Sequence, residues 1–205
     1  MSIKVLDQCK DNDGNLAAIL IEYEGKNILL QGIYGPNLDD PNFYENSVFE
    51  KIGTWGAEFS IFCGDWNLTL EPSIDTKNYV GENNNIQARE VVKRKILEFN
   101  LNDVWRTLNP DKRIYTWRKQ GHLKFARLDF FLVSNSLLPF VQNIEIVPGC
   151  YSDHSPVIMD IDFTKFTRGR GFWKFNNSLV YDPEYVDKVK STIKKNYDHV
   201  CSCKW

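Results

Sequence analysis

Four short stretches of the 205-residue chain carry side chains that do chemistry together. Gly64-Asp65-Trp66-Asn67 sets a carboxylate and an amide two residues apart, after an apolar run. Strand alternation would point both to one side, where they can organise a water or a leaving group, and Gly64 lets a backbone or ligand approach closely. Taken alone, Asp and Asn after a strand also make an ordinary turn. Ser152-Asp153-His154-Ser155-Pro156 sets a carboxylate beside an imidazole. That pair can bind a metal, or stabilise a phosphate with an imidazole held by a neighbouring carboxylate; alone, it also reads as a turn in which His154 caps polar groups. Arg127-Leu128-Asp129-Phe130-Phe131 puts one acid into an apolar strand. A buried acid is costly unless paired, so Asp129 needs a partner, and a histidine is a sensible one. Tyr34-Gly35-Pro36-Asn37 leaves a strand in a fixed turn, with the Tyr34 hydroxyl in reach of a substrate oxygen.

The elements that must position these residues are mostly strands. Apolar runs at 16–21 and 27–34 flank Tyr23-Glu24-Gly25-Lys26, a hairpin in which Gly25 is free to take positive φ. Residues 59–63 make a short buried strand. Further strands are predicted at 113–117, 128–134, 144–147 and 157–163. Residues 41–53 read as a helix with Pro41 in its first turn and Gly53 at its end. Residues 86–99 are the clearest helix, with Ala88, Val92, Ile96 and Phe99 on one stripe. The polar stretch 71–85 reads as a long loop, and a terminal helix is predicted over 183–197. Many short strands with few helices predict a sheet-rich α+β sandwich.

Composition limits the classes. A 42% hydrophobic and 14% aromatic chain is not mainly disordered. No apolar run is long enough to span a bilayer, and no secretory or transit signal is legible at the start; an intracellular protein, nuclear or cytoplasmic, is expected. Five scattered cysteines argue for reduced thiols, and Cys201-Ser-Cys203 lacks the second pair that zinc would need. The net charge of −2 divides into −9 over 1–88, +7 over 89–127, −5 over 128–163 and +5 over 164–205. Basic segments on an acidic body suit an anionic partner, or are solvated helix faces.

Taken in order, strand-Tyr-x-Pro-Asn, strand-Gly-Asp-x-Asn, Thr116-Trp117, Arg-Leu-Asp in a strand and Ser-Asp-His before a final strand resemble the endonuclease/exonuclease/phosphatase superfamily. The resemblance covers about residues 3–163. It is strongest to the endonuclease of LINE-type retrotransposon polyproteins, to which Phe43-Tyr44 and the Asp129–Ser134 stretch also fit. Residues 168–179 resemble the connector that those polyproteins place before a reverse transcriptase.

The resemblance implies a four-layered α/β sandwich and Mg²⁺-dependent phosphodiester hydrolysis on DNA. It implies that Asp65 handles proton transfer with help from Asn67, that His154 stabilises phosphoryl oxygens, that Asp129 orients His154 and that Asp153 sits at the metal side. Tyr34 and Asn37 would meet the substrate, and Arg118 and Lys119 would hold DNA backbone without reading sequence. The family's early metal-site Asn and Glu motifs do not occur before Leu16. The expectation is therefore a partial domain over 1–163, lacking its first strands and showing an exposed sheet edge, followed by a basic helical connector over 164–205. Nicking would be weak or lost. The alternatives are a catalytically dead module that binds nucleic acid or protein, and a lipid or inositol phosphatase branch, against which the tail argues.

Overall fold

The computed structural model describes residues 3–79, 85–119, 121, 123–149, 152–166 and 181–201, with the side chains at 165 and 195–201 set aside. His122 and the 168–179 motif lie outside these residues, as do the side chains of His199 and Cys201. The chain divides into two compact units, Met1–Phe166 and Thr167–Trp205.

In chain order the first unit contains β1 (Lys4–Lys10), β2 (Leu16–Tyr23), β3 (Lys26–Tyr34), α1 (Pro41–Phe43), α2 (Glu50–Trp55) and β4 (Phe59–Asp65). Then come α3 (Pro72–Asp75), β5 (Thr76–Lys77), α4 (Ile86–Glu98), β6 (Leu101–Asp103) and α5 (Val104–Leu108). It ends with β7 (Trp117–Arg118), β8 (Phe125–Ala126), β9 (Asp129–Ser134), β10 (Val141–Ile146) and β11 (Val157–Ile161). The second unit contains α6 (Pro183–Cys201), whose first turn is capped by the Asp182 carboxylate accepting from Glu184 N and Tyr185 N.

Six strands form one sheet in the order β1-β2-β3-β4-β9-β6. Helices cover one face. There Tyr44, Val48 and Phe49 meet Ala88 and Val92 of α4 over Leu29, Phe62 and Phe130 of the sheet. The other face packs Ile28, Ile61 and Val133 against Val104, Trp105 and Ile144, with the β10–β11 hairpin on top. Trp66 is fully buried on the helical side, stacked on Phe130 at 4.9 Å between ring centroids. Burial of this kind gives roughly 25 cal/mol for each Å² of apolar surface removed from water.

The β2–β3 hairpin forms as expected. Glu24 (φ 50°) and Gly25 (φ 75°) both take positive φ, as a two-residue turn that follows the strand twist requires. The α4 stripe also holds, with Lys95 drawn in beside it by Glu45 and Glu98, each at 3.0 Å.

Elsewhere the structure corrects the sequence reading. Residues 4–10, for which the sequence reading gives no strand, form β1. A bulge between Val5 and Asp7 shifts its register, so alternation is lost. This strand is the sheet edge and is exposed along its whole length. The 41–53 helix is instead α1, a π-helical turn over Tyr44–Val48 that turns both of those side chains inward, and α2. The helix stops at Gly56, in the left-handed region at φ 59°, rather than at Gly53. The 71–85 loop holds α3 and β5, and the 113–117 strand shrinks to Trp117–Arg118. Trp55 is only partly buried against the core.

One polar group lies at the centre of the unit. The Arg127 side chain is 0% exposed, and its Nε and Nη2 donate to Asp75 at 2.8 and 2.9 Å. Nη2 also donates to Asp103 Oδ2 at 2.6 Å, and Arg106 adds a bond to Asp75 at 2.5 Å. Burial works against the Arg127 charge, but the Asp103 and Asp75 carboxylates hold its pKa above the ordinary arginine value. Burial likewise pushes the Asp75 carboxyl up, and the two guanidiniums outweigh it and hold it below the usual range. Removing one member of a buried ion pair leaves the others uncompensated. Arg127→Ala should lose about 3–5 kcal/mol of stability, read by urea denaturation; an unchanged midpoint would refute this.

Candidate active site

Strand register builds the site. In the β3–β4 parallel pairing Tyr34 lies opposite Asp65, and in the β4–β9 antiparallel pairing Asp65 lies opposite Asp129. Tyr34, Asp65 and Asp129 are therefore neighbours across three adjacent strands. Gly64 makes this possible. Its φ is 138°, and a Cβ there would collide with the Ile33 carbonyl, so no other residue lets β4 deliver Asp65 at this point.

Beyond the strand, Asn67 takes the left-handed conformation (φ 46°). Its backbone N–H donates to Asp65 Oδ1 at 2.9 Å, and its Nδ2 donates to the Gly35 carbonyl at 2.6 Å. Asn67 thus pins Asp65 from one side and the turn after Tyr34 from the other. Asn85 adds a tie, donating from Nδ2 to the Asn67 carbonyl at 2.8 Å.

His154 comes from the segment before β11. Its Nδ1 lies 2.8 Å from Asp129 Oδ2, and its Nε2 lies 3.9 Å from Asp65 Oδ2. Trp117 forms an isolated antiparallel bridge with His154, and its indole N–H donates to Asp153 Oδ2 at 3.2 Å. The three groups Asp65, Asp129 and His154 offer ligand atoms within 4.8 Å of one another.

Asp65 and His154 border a cleft of about 390 Å³ with a polar lining. Tyr34, Asn37, Asp65, Asn67, Asp153 and His154 all face it. Tyr34 is half exposed and Asn37 exposed. Arg118 is turned inward from the rim, with Nη2 donating to the carbonyls of Gly149 (2.5 Å) and Ser152 (2.8 Å), so it props the loop that carries His154. Lys119 is exposed beside it. Sequence reasoning missed Tyr79 and Asn85, which also line the cleft. Both fall in the polar stretch taken as plain loop, where no periodicity marks them.

Burial raises the Asp65 carboxyl above the usual range, and the nearby Asp129 and Asp153 charges add to this against the Asn67 N–H and His154. The Asp129 hydrogen bond raises His154 above its ordinary 6.5, against partial burial. A raised folded pKa stabilises the protein below the unfolded value, and that gain is lost as pH rises through the folded value. Thermal stability should therefore decline from pH 6 upward through the raised His154 value. His154→Gln should flatten that slope in a melting series; an unaltered slope would show that the pair is not coupled to folding.

No family model matches the chain. It is 27% identical over 185 residues, 87% of its length, to the transposon TX1 uncharacterized 149 kDa protein of Xenopus laevis, and spans 14% of that protein. Among solved structures it is similar to an AP endonuclease from Archaeoglobus fulgidus, with a TM-score of 0.63, 22% identity, and coverage of 78% of this chain and 72% of that one. It is also similar to the AP endonuclease LMAP from Leishmania major (TM-score 0.60, 21% identity, coverage 73% and 55%). A third likeness is to the 3'-5' exonuclease NExo from Neisseria meningitidis (TM-score 0.55, 20% identity, coverage 71% and 65%). At these identities the likeness is one of fold. The chain carries the mixed α/β layered fold of the endonuclease/exonuclease/phosphatase proteins.

Proposed function

We propose that the cleft hydrolyses phosphodiester bonds in DNA with the help of Mg²⁺. The observation that carries this reading is the convergence of Asp65, Asp129 and His154 from three separate segments to within 4.8 Å of one another, with Asp65 and His154 lining one polar cleft. The transposon relative supports a nucleic-acid substrate, and one Neisseria structure of the same fold holds a product DNA hairpin.

Water attacks phosphorus, a new P–O bond forms, and the bond to the leaving oxygen breaks. Asp65, raised by burial and poised near the reacting water, moves a proton between water and leaving oxygen. Asn67 holds Asp65 in place through the 2.9 Å bond. His154, held by Asp129 at 2.8 Å, stabilises the charge that develops on the phosphoryl oxygens. Tyr34 and Asn37 meet the substrate from the open side, and Lys119 beside Arg118 offers positive charge to the backbone.

The donor set fits a hard cation. Asp65 and Asp153 both line the cleft, and carboxylate oxygens are what Mg²⁺ takes. Asp153 and Asp65 would hold Mg²⁺, which would supply neutralisation of phosphate charge. With Asp65 shared between metal and proton transfer, and Asp129 committed to His154, turnover is slow.

Purified protein should nick supercoiled plasmid slowly and only with Mg²⁺. Asp65→Asn and His154→Ala should each cut this by about 10²–10⁴-fold, to background. Nicking unchanged in both variants would overturn the assignment. DNA affinity should fall steeply with salt and survive Asp65→Asn, since phosphate contacts release counterions. Salt-independent binding would remove DNA as the partner, whereas salt-dependent binding without nicking would favour a catalytically dead binding module.

A further inference from the structure

We infer that Thr116 is the positioning residue that sets the His154–Asp129 pair. This rests on the reading of that pair as the group acting on phosphate, but it concerns the geometry of the pair and is tested without DNA.

Thr116 is almost fully buried, at 1% exposure, and it is bonded on every side. Its hydroxyl oxygen accepts from two successive backbone N–H groups, Leu128 N at 2.9 Å and Asp129 N at 3.0 Å. Its carbonyl accepts from Ser155 N at 2.6 Å, and its own N–H donates to Ala126 O at 3.0 Å. One residue therefore grips the backbone of Asp129 through its side chain and the backbone next to His154 through its main chain. Asp129 and His154 are 25 positions apart in sequence, and their side chains meet at 2.8 Å.

The adjoining residues extend the grip. Trp117 bridges to His154, and Arg118 N donates to Asp153 O at 2.9 Å. Neither of these reaches the Asp129 backbone. Without the hydroxyl the Leu128 and Asp129 N–H groups lose their acceptor at the point where β9 begins, and buried backbone donors must be satisfied. The start of β9 would then shift to find a partner, and the Asp129 carboxylate would move with it, away from His154, whose neighbour Ser155 stays tied through its backbone N–H to the Thr116 carbonyl. A purely structural threonine would lower stability and leave the pair unchanged.

The test reads the pair directly, as the downfield proton of the His154 Nδ1–H···Asp129 hydrogen bond in the ¹H spectrum of the purified chain, assigned by its absence in His154→Gln. Thr116→Ser keeps the hydroxyl and should keep the resonance. Thr116→Val, which removes the acceptor at constant volume, should lose it while circular dichroism stays native. If Thr116→Val does not fold, Thr116→Ala leaves room for a water to meet the two N–H groups and should still lose or shift the resonance. An unchanged resonance in any folded Val or Ala variant, or its loss in Thr116→Ser, overturns the proposal. Failure of plasmid nicking with the resonance behaving as expected would instead count against the hydrolase reading alone.

Discussion

The charge of Arg127 is the constraint around which the first unit is arranged. A guanidinium stripped of water is tolerated only where carboxylates surround it. Here Asp75 comes from the strap between β4 and α4, and Asp103 from the junction of β6 and α5. Pairing with both draws the strap and α5 together at the base of β9. The Arg127 backbone N–H donates to the Asp75 carbonyl as well. Two residues further on, β9 opens with Asp129. A group with no part in the chemistry thus fixes where the chemical groups begin.

The cleft sits where strands end. β3 and β4 run parallel and finish side by side at Tyr34 and Asp65. At the end of β4 and just past it the backbone takes conformations that need special residues, Gly64 at φ 138° within the strand and Asn67 at φ 46° beyond it. These twist the chain out of the sheet, so that Asp65 and Asn67 face one space. Alternation alone predicts that the two share a side; the structure adds that Asn67 has left the strand and reaches Asp65 through its backbone N–H. The small sheet of β5, β8 and β7 then closes the space, bringing Trp117 against His154 and Asp153.

Much of this could be read from the chain because local physics carried it. The β2–β3 hairpin follows from Glu24-Gly25, α4 from the spacing of Ala88 and Val92, and β4 from an apolar run ending in glycine. The need of Asp129 for a partner follows from placing an acid in an apolar strand, and His154 meets that need. What failed to show locally depended on distant contacts. β1 carries a bulge that hides its alternation. α3 exists because Asp75 is held by Arg127 and Arg106. The helix after Pro41 is distorted because Tyr44 and Val48 must both face the core. The family relation of the fold was legible only from five weak motifs in one order, not from any single one.

The sequence by itself determined the chemical inventory: three carboxylates, an amide and an imidazole in motifs whose residue types suit phosphate chemistry, on or beside strands that alternation could locate. Only the tertiary structure decided their distances and duties. It turned Arg118 inward to hold the carbonyls of Gly149 and Ser152, bonded Trp117 to Asp153, and made Thr116 a joint between segments far apart in the chain. The reason is that hydrogen bonds reaching across tens of residues leave no periodic trace in sequence. They arise only when the burial of Arg127 and the register of β3, β4 and β9 have brought the partners within reach.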